Sequence, residues 1–102
     1  MHPQIAINTI AKNEARNARD FMASCAGADL VAVLDTGSTD GTQGLLRAAG
    51  AVVEEAVIEP WRFDTARNQA LAMLPEDIDL VVSVDLDERL QPGWREALEE
   101  TW

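Results

Sequence analysis

The chain has 102 residues, of which 47% are apolar, enough for one domain with a real core and too apolar for a disordered tail. Against 18 Asp+Glu stand 8 Lys+Arg, a formal net charge of -10. A field of that sign repels phosphate backbones, which excludes nucleic acid as a partner and obliges any phosphate ligand to use a cation or a local basic residue as intermediary.

Cys25 is the single cysteine, so no intrachain disulfide forms; its neighbours suggest core packing, and a reducing cytoplasm is the expected location. The opening MHPQIAINTI carries neither a basic leader region nor a long apolar stretch, and no run approaches the ~18 to 20 apolar residues of a transmembrane segment. His2, the single histidine, reads as a frayed surface residue.

Ile5 to Ile10 reads as the first strand. Ala15, Ala18, Phe21, Met22 and Cys25 follow at spacings of three and four, one face of a helix that Gly27 closes. Leu30 to Leu34 is a short continuous apolar run ending at Asp35, the pattern of a parallel strand covered on both faces. Ser38, Thr39 and Asp40 are each good N-caps for a helix carrying Leu45, Leu46 and Ala49 and stopped by Gly50. Ala51 to Ile58 predicts a third strand. Beyond Pro60 comes a loop with Trp61 and Phe63, then a helix from about Thr65 to Leu74 with Ala66, Ala70 and Met73 inward. Ile78 to Val84 is a fourth apolar strand, ending in Asp85-Leu86-Asp87-Glu88. Pro92 suits the first turn of a last helix with Trp94, Ala97, Leu98 and Trp102 on one stripe.

The order β-α-β-α-β-α-β-α calls for right-handed crossovers and a parallel sheet, an α/β Rossmann-like domain over residues 1–102 with helices on both faces. It also disposes of a competing reading of Asp35-Thr36-Gly37-Ser38 as the catalytic loop of an aspartic protease. That domain is all β, whereas a capped helix follows the loop here.

In open parallel sheets ligands gather at the carboxyl ends of the strands. Thr9 to Glu14, Asp35 to Thr42, Trp61 to Asn68 and Asp85 to Arg89 all fall there. Asp85 and Asp87, one residue apart at a strand end, project to the same side and can hold a hard divalent cation. Mg2+ or Mn2+ there would carry a diphosphate into an acidic pocket, although a solvated turn has the same composition. Asp35 has two readings as well, an Asx-turn that shapes its loop or a carboxylate that accepts hydrogen bonds from a base or ribose. Arg67 can contact phosphate oxygens or lie exposed in a first helical turn, and Asn68 can bond a sugar or tie down the loop. Trp61 and Phe63 either pack over a base or cover the edge of the core.

Taken together, IAKNEARN, VAVLDTGSTDGT, FDTARNQAL and LVVSVDLDE resemble the nucleotide-sugar-binding half of family 2 glycosyltransferases, the GT-A fold, in the family's order and over nearly the whole chain. The resemblance implies a UDP-sugar as the most suitable donor. It implies nucleotide-sugar contacts from the loop Thr9 to Asn13, from Glu14, from Asp35 beside the base, from the Arg67-Asn68 pair and from Asp85, with Asp85 and Asp87 on the metal. Thr36 stands where many members have a second aspartate, which implies a different arrangement of base recognition.

Inverting members carry a catalytic carboxylate and the acceptor surface well downstream of the acidic motif. No residue here aligns with that base, since Glu88 adjoins the metal motif, so the catalytic residue is unassigned. The resemblance expects the domain to continue past Trp102, or its uncovered edge strand and helical face to be hidden by self-association or a partner chain. Two other classes compete with a donor-binding half: a non-catalytic nucleotide-binding or protein-interaction module, and a phosphohydrolase with Asp85 as nucleophile. The latter would normally place its acidic motif on the first strand and carry Thr or Val, not Glu88, after the second aspartate.

Overall fold

The computed structural model describes residues 2–101. The strands β1 (Ile5–Ala11), β2 (Leu30–Asp35), β3 (Val52–Glu55) and β4 (Leu80–Ser83) alternate with α1 (Ala15–Ser24), α2 (Thr42–Ala48), α3 (Phe63–Ala72) and α4 (Trp94–Thr101). All pairings are parallel, in the spatial order β3-β2-β1-β4. The expected α/β sheet with helices on both faces is therefore the observed one.

Alternation along the central strands explains the layers. In β2, Val31 and Val33 point into a core shared with Ile7, Phe21, Cys25 and Leu46 of β1, α1 and α2. Leu34 points the other way, against Ala66 and Ala70 of α3. Consecutive side chains on a strand face opposite sides, so a strand covered on both must be apolar at every position. Ile5, Ile7, Val33 and Phe21 are fully enclosed. Cys25 lies among them, 3% exposed, and burial pushes its thiol up to about 11.

The two outer strands are shorter than their apolar runs predict. β3 spans only Val52–Glu55, with Val53 alone buried; after the bond from the Ala56 N–H to the Asp35 carbonyl (2.8 Å) the chain leaves the sheet. β4 alternates half-buried and exposed residues, and Val81 is 43% exposed. An edge strand pairs on one side only, and hydrophobicity by itself does not tell how far that pairing runs.

Other element ends are corrected as well. α3 starts at Phe63 rather than near Thr65, so Arg67 belongs to its second turn. α4 begins at Trp94, after a turn at Pro92 and Gly93. The N-cap of α2 is Gly41, and its side-chain support comes from Asp40, whose Oδ1 accepts from the Thr42 N–H at 3.1 Å. His2 lies on the surface, as expected, and its Nδ1 pairs there with Glu99 of α4. Trp102, placed on the α4 stripe from the sequence, lies outside the described residues.

The connections fix where a ligand can sit. α1 and α2 lie on one face while the chain steps outward from β1 to β3. It then crosses back through α3 on the other face to place β4 beside β1. The direction of winding reverses between β1 and β4, and in such sheets the crevice at the carboxyl ends of those two strands is the binding position.

Candidate functional site

The first two rim loops are built on each other. The Thr36 N–H donates to the Ala11 carbonyl at 2.9 Å. The Asn13 N–H donates to Ser38 Oγ at 2.7 Å, and Asn13 Oδ1 accepts from the Thr39 N–H at 2.8 Å. The Glu14 N–H donates to Thr42 Oγ1 at 2.9 Å, and the Ala15 N–H to Asp40 Oδ2 at 3.1 Å. Asn13 makes both its contacts from a left-handed backbone (φ 54°), which asparagine tolerates better than most residues. The first free N–H groups of α1 are thus satisfied by the loop after β2, a tertiary substitute for a local cap. The Thr42 hydroxyl above all, then the Ala15 N–H, holds the Asp40 carboxyl below the usual carboxylate range.

Asp35 is fully enclosed. Its Oδ1 accepts from the Gly37 N–H (3.0 Å), the Ser38 N–H (2.8 Å) and Gln43 Nε2 (3.0 Å), and its Oδ2 accepts from the Ser38 hydroxyl (2.6 Å). The positive φ of Gly37, 116°, lets the chain double back over the carboxylate. This is the Asx-turn alternative. Four donors from its own loop and helix enclose the Asp35 carboxylate. Thr36, the next residue, faces outward instead.

Two concavities open at the carboxyl rim. The larger, about 560 Å³, is lined by Ile10, Ala11, Lys12, Thr36, Val57, Ile58, Glu59 and Trp61. It falls within the range of ordinary small-molecule sites. Trp61 is 56% and Phe63 62% exposed, so neither covers the core; Trp61 offers its ring to this concavity. The smaller, about 240 Å³, is lined by Ile10, Lys12, Glu14, Asp85, Leu86 and Asp87. It sits at the ends of β1 and β4, where the winding reverses. Ile10 and Lys12 form part of both walls.

The acidic corner has its own scaffold. Leu86 is 2% exposed and anchors the loop inward, leaving Asp85 and Asp87 on the outside. The Asp85 N–H donates to Glu88 Oε1 at 2.8 Å and the Glu88 N–H to the Asp85 carbonyl at 3.0 Å, so Glu88 closes the turn. Arg89 Nη1 donates to the carbonyls of Leu86 (3.1 Å) and Glu88 (3.0 Å), and its Nη2 to Asn17 Oδ1 (3.2 Å). Asn17 in turn donates to Glu14 Oε2 at 2.7 Å. The loop after β4 is tied to the start of α1 through this chain.

Among the described residues no group of three His, Cys, Asp or Glu side chains could hold a metal ion unaided. Asp85 and Asp87 still suit Mg2+ or Mn2+ as a partial shell, since such ions are commonly bound by one or two carboxylates with phosphate oxygens and water supplying the rest.

Of the other candidates, Thr9 is 2% exposed within β1 and lines neither concavity. Arg67 and Asn68 ride on α3 and line neither as well. Glu14 lines the acidic one and Asn13 joins the loops. Arg89 falls in a stretch expected on the rim, but its role, like that of Asn17, depends on a partner far away in the chain. So does that of Asn8, 1% exposed, which donates to the carbonyls of Ala32 and Ala70 (both 3.1 Å) and so pins α3 to β2.

Fold and rim together define an α/β domain of the type that forms the nucleotide-binding half of GT-A glycosyltransferases. The chain resembles the family 2 members of that fold in both structure and sequence. It is similar to glucosyl-3-phosphoglycerate synthase from Mycobacterium tuberculosis in complex with UDP, with a TM-score of 0.69 and 28% identity over 84% of this chain and 34% of that one. The same enzyme with Mn2+, UDP and glucosyl-3-phosphoglycerate matches at a TM-score of 0.66 and 27% identity, over 81% of this chain and 33% of that one. A structure described as that of a mycobacterial protein matches at 0.69 and 30%, over 83% of this chain and 31% of that one. The chain therefore spans about a third of the length of the structures it matches. No protein-family model matches it. Among the described residues no helix is long and apolar enough to cross a membrane.

Proposed function

We propose that the chain binds a nucleotide diphosphate sugar, a UDP-sugar, together with Mg2+ or Mn2+, as the donor-binding half of a glycosyltransferase. The observation that carries this is the adjoining pair of concavities: a roomy one of mixed polar and apolar lining beside Thr36 and Trp61, and a small acidic one beside Asp85 and Asp87, with Ile10 and Lys12 in common. A nucleoside needs the first kind of surface and a metal-bound diphosphate the second. The solved neighbours support the same ligands, since their complexes hold UDP with Mn2+ or Mg2+.

In this reading each residue has a defined task. Asp85 and Asp87 hold the cation, and Leu86, Glu88 and Arg89 keep that pair on the rim. Asn13 and Glu14 set the first loop against the second, and Asp35 fixes the outward course of Thr36 beside the base. Arg67 and Asn68, which line neither concavity, would meet only a part of the donor that extends past both toward α3. The cation, when bound, neutralises the diphosphate as it becomes the leaving group. Transfer with inversion at C1 further requires a carboxylate on the acceptor side to take the hydroxyl proton, and no residue from 2 to 101 is assigned that task.

Titration calorimetry with UDP and Mn2+ tests the proposal. Binding is expected in the presence of Mn2+, to be lost on adding EDTA, and to weaken by about tenfold or more in Asp87→Asn, because a metal shell supplied by only two carboxylates loses half its protein charge. A folded chain that takes up neither UDP nor Mn2+ would overturn it and favour an interaction module.

A further inference from the structure

We infer that Lys12 is the residue that lets this acidic rim accept a diphosphate: its ammonium lies against the phosphates, between nucleoside and cation. The inference rests on the donor-binding reading above and goes beyond it by assigning the positive charge that the chain's balance demands.

Lys12 is the only lysine in a chain of net charge -10. It belongs to the walls of both concavities, a position shared only with the apolar Ile10. A diphosphate running from the larger concavity to the acidic one must therefore pass it. The other basic residues are unsuited to this. Arg62 is paired with Asp64 at 3.1 Å and Arg89 is bound to two carbonyls and Asn17, while Arg16, Arg19 and Arg67 line neither concavity. Lys12 itself is exposed and makes no hydrogen bond or ion pair with any described residue, although Glu14, Asp85 and Asp87 line the same small concavity.

A flexible stem ending in a compact cation can follow a phosphate as it arrives, and its donors need not be taken from an existing partner. The backbone of the loop is held by Asn13 and Glu14, on the C-terminal side of Lys12, and by Ala11 on the other side. The side chain thus leaves a backbone that is hydrogen-bonded on both sides of it.

The same charge acts on the two ligands with opposite signs. It attracts the diphosphate and repels a lone divalent cation at Asp85 and Asp87. In Lys12→Gln, UDP at saturating Mn2+ is expected to bind about ten- to a hundredfold more weakly, the range for loss of a charge-assisted hydrogen bond. Mn2+ alone is expected to bind about two- to fivefold more tightly, as removal of a partly screened like charge requires. Uridine, which lacks phosphates, should be unaffected, and Lys12→Arg should restore most of the UDP affinity.

A merely structural lysine would weaken every ligand together or none. The inference falls if wild-type chain binds UDP and Lys12→Gln binds it equally well, an outcome that leaves the donor-binding reading intact. It falls too if Lys12→Gln weakens UDP, uridine and Mn2+ alike. Wild-type chain that is folded by circular dichroism and binds no UDP overturns both.

Discussion

Asp35 uses its whole carboxylate on its own loop, and that choice is visible only in three dimensions. From the sequence, an aspartate at a strand end before Thr-Gly-Ser could equally shape a turn or meet a base. The structure supplies donors from Gly37, Ser38 and Gln43 and leaves no exposed surface on Asp35. In Asp35→Asn one oxygen becomes an NH2 that cannot accept from the Ser38 hydroxyl or the amide donors. The expected cost is about 1–3 kcal/mol, the range for a buried donor left unpaired, read as a lowered urea midpoint. UDP affinity should fall with it, since the displaced loop carries Thr36.

At the scale of elements, the loop motifs that looked chemical turn out to be partly architectural. Lys-Asn-Glu and Asp-Thr-Gly-Ser-Thr-Asp interlock through Asn13, Ser38, Thr39, Asp40 and Thr42, so α1 and α2 begin from a shared knot of hydrogen bonds. At the opposite end of the sheet, Arg95 of α4 performs a comparable task. Its guanidinium reaches the carbonyls of Gly27 and Pro3 and the carboxylates of Asp29 (2.9 Å) and Glu99 (2.8 Å). Asp29 also accepts from the Ile5 N–H at 2.8 Å, so one carboxylate joins α4 to the start of β1. α4 has no fully buried residue, which leaves this clip as a principal polar anchor. In Arg95→Ala the amides of α4 should exchange with deuterium markedly faster while those of β1 and β2 change little. Uniform acceleration over the whole chain would contradict this.

For the molecule as a whole, the shifted carboxylates point one way. Asp29 is held below its ordinary range, first by the Ile5 N–H and then by Arg95. Glu99 is lowered by Arg95 and then His2, Asp64 by Arg62, and Asp40 by Thr42. A carboxylate whose pKa is lower folded than unfolded adds stability that is complete above its unfolded value and is lost as pH falls through its folded value. Stability should therefore decline below about pH 4, the ordinary carboxylate range. At the alkaline end Cys25 has the opposite sign: its pKa rises from 9.0 to about 11 on folding, so its contribution is present below 9.0 and is lost as pH rises toward about 11. Denaturation midpoints should form a plateau between these limits, and a chain most stable near pH 3 would contradict the acid limb.

Much of the fold was legible in the chain because it depends on local periodicity. Continuous apolar runs at β1 and β2 and the three-and-four spacing of Ala18, Phe21 and Cys25 state which surfaces must be hidden, whatever the tertiary arrangement. The acidic corner was legible only as composition: Asp85 and Asp87 stand in the turn after Ser83, and the burial of Leu86, rather than strand alternation, leaves both of them outside. What only the tertiary structure decided depends on residues distant in sequence. The extent of β3 and β4 follows from pairing on a single edge, and the enclosure of Asp35 from Gln43 folding back over it. Arg89 acquires its role from Asn17, and Lys12 acquires its place between two concavities only when β4 crosses back beside β1. Periodicity records which side of an element must be buried; it carries no information about which other element will arrive there.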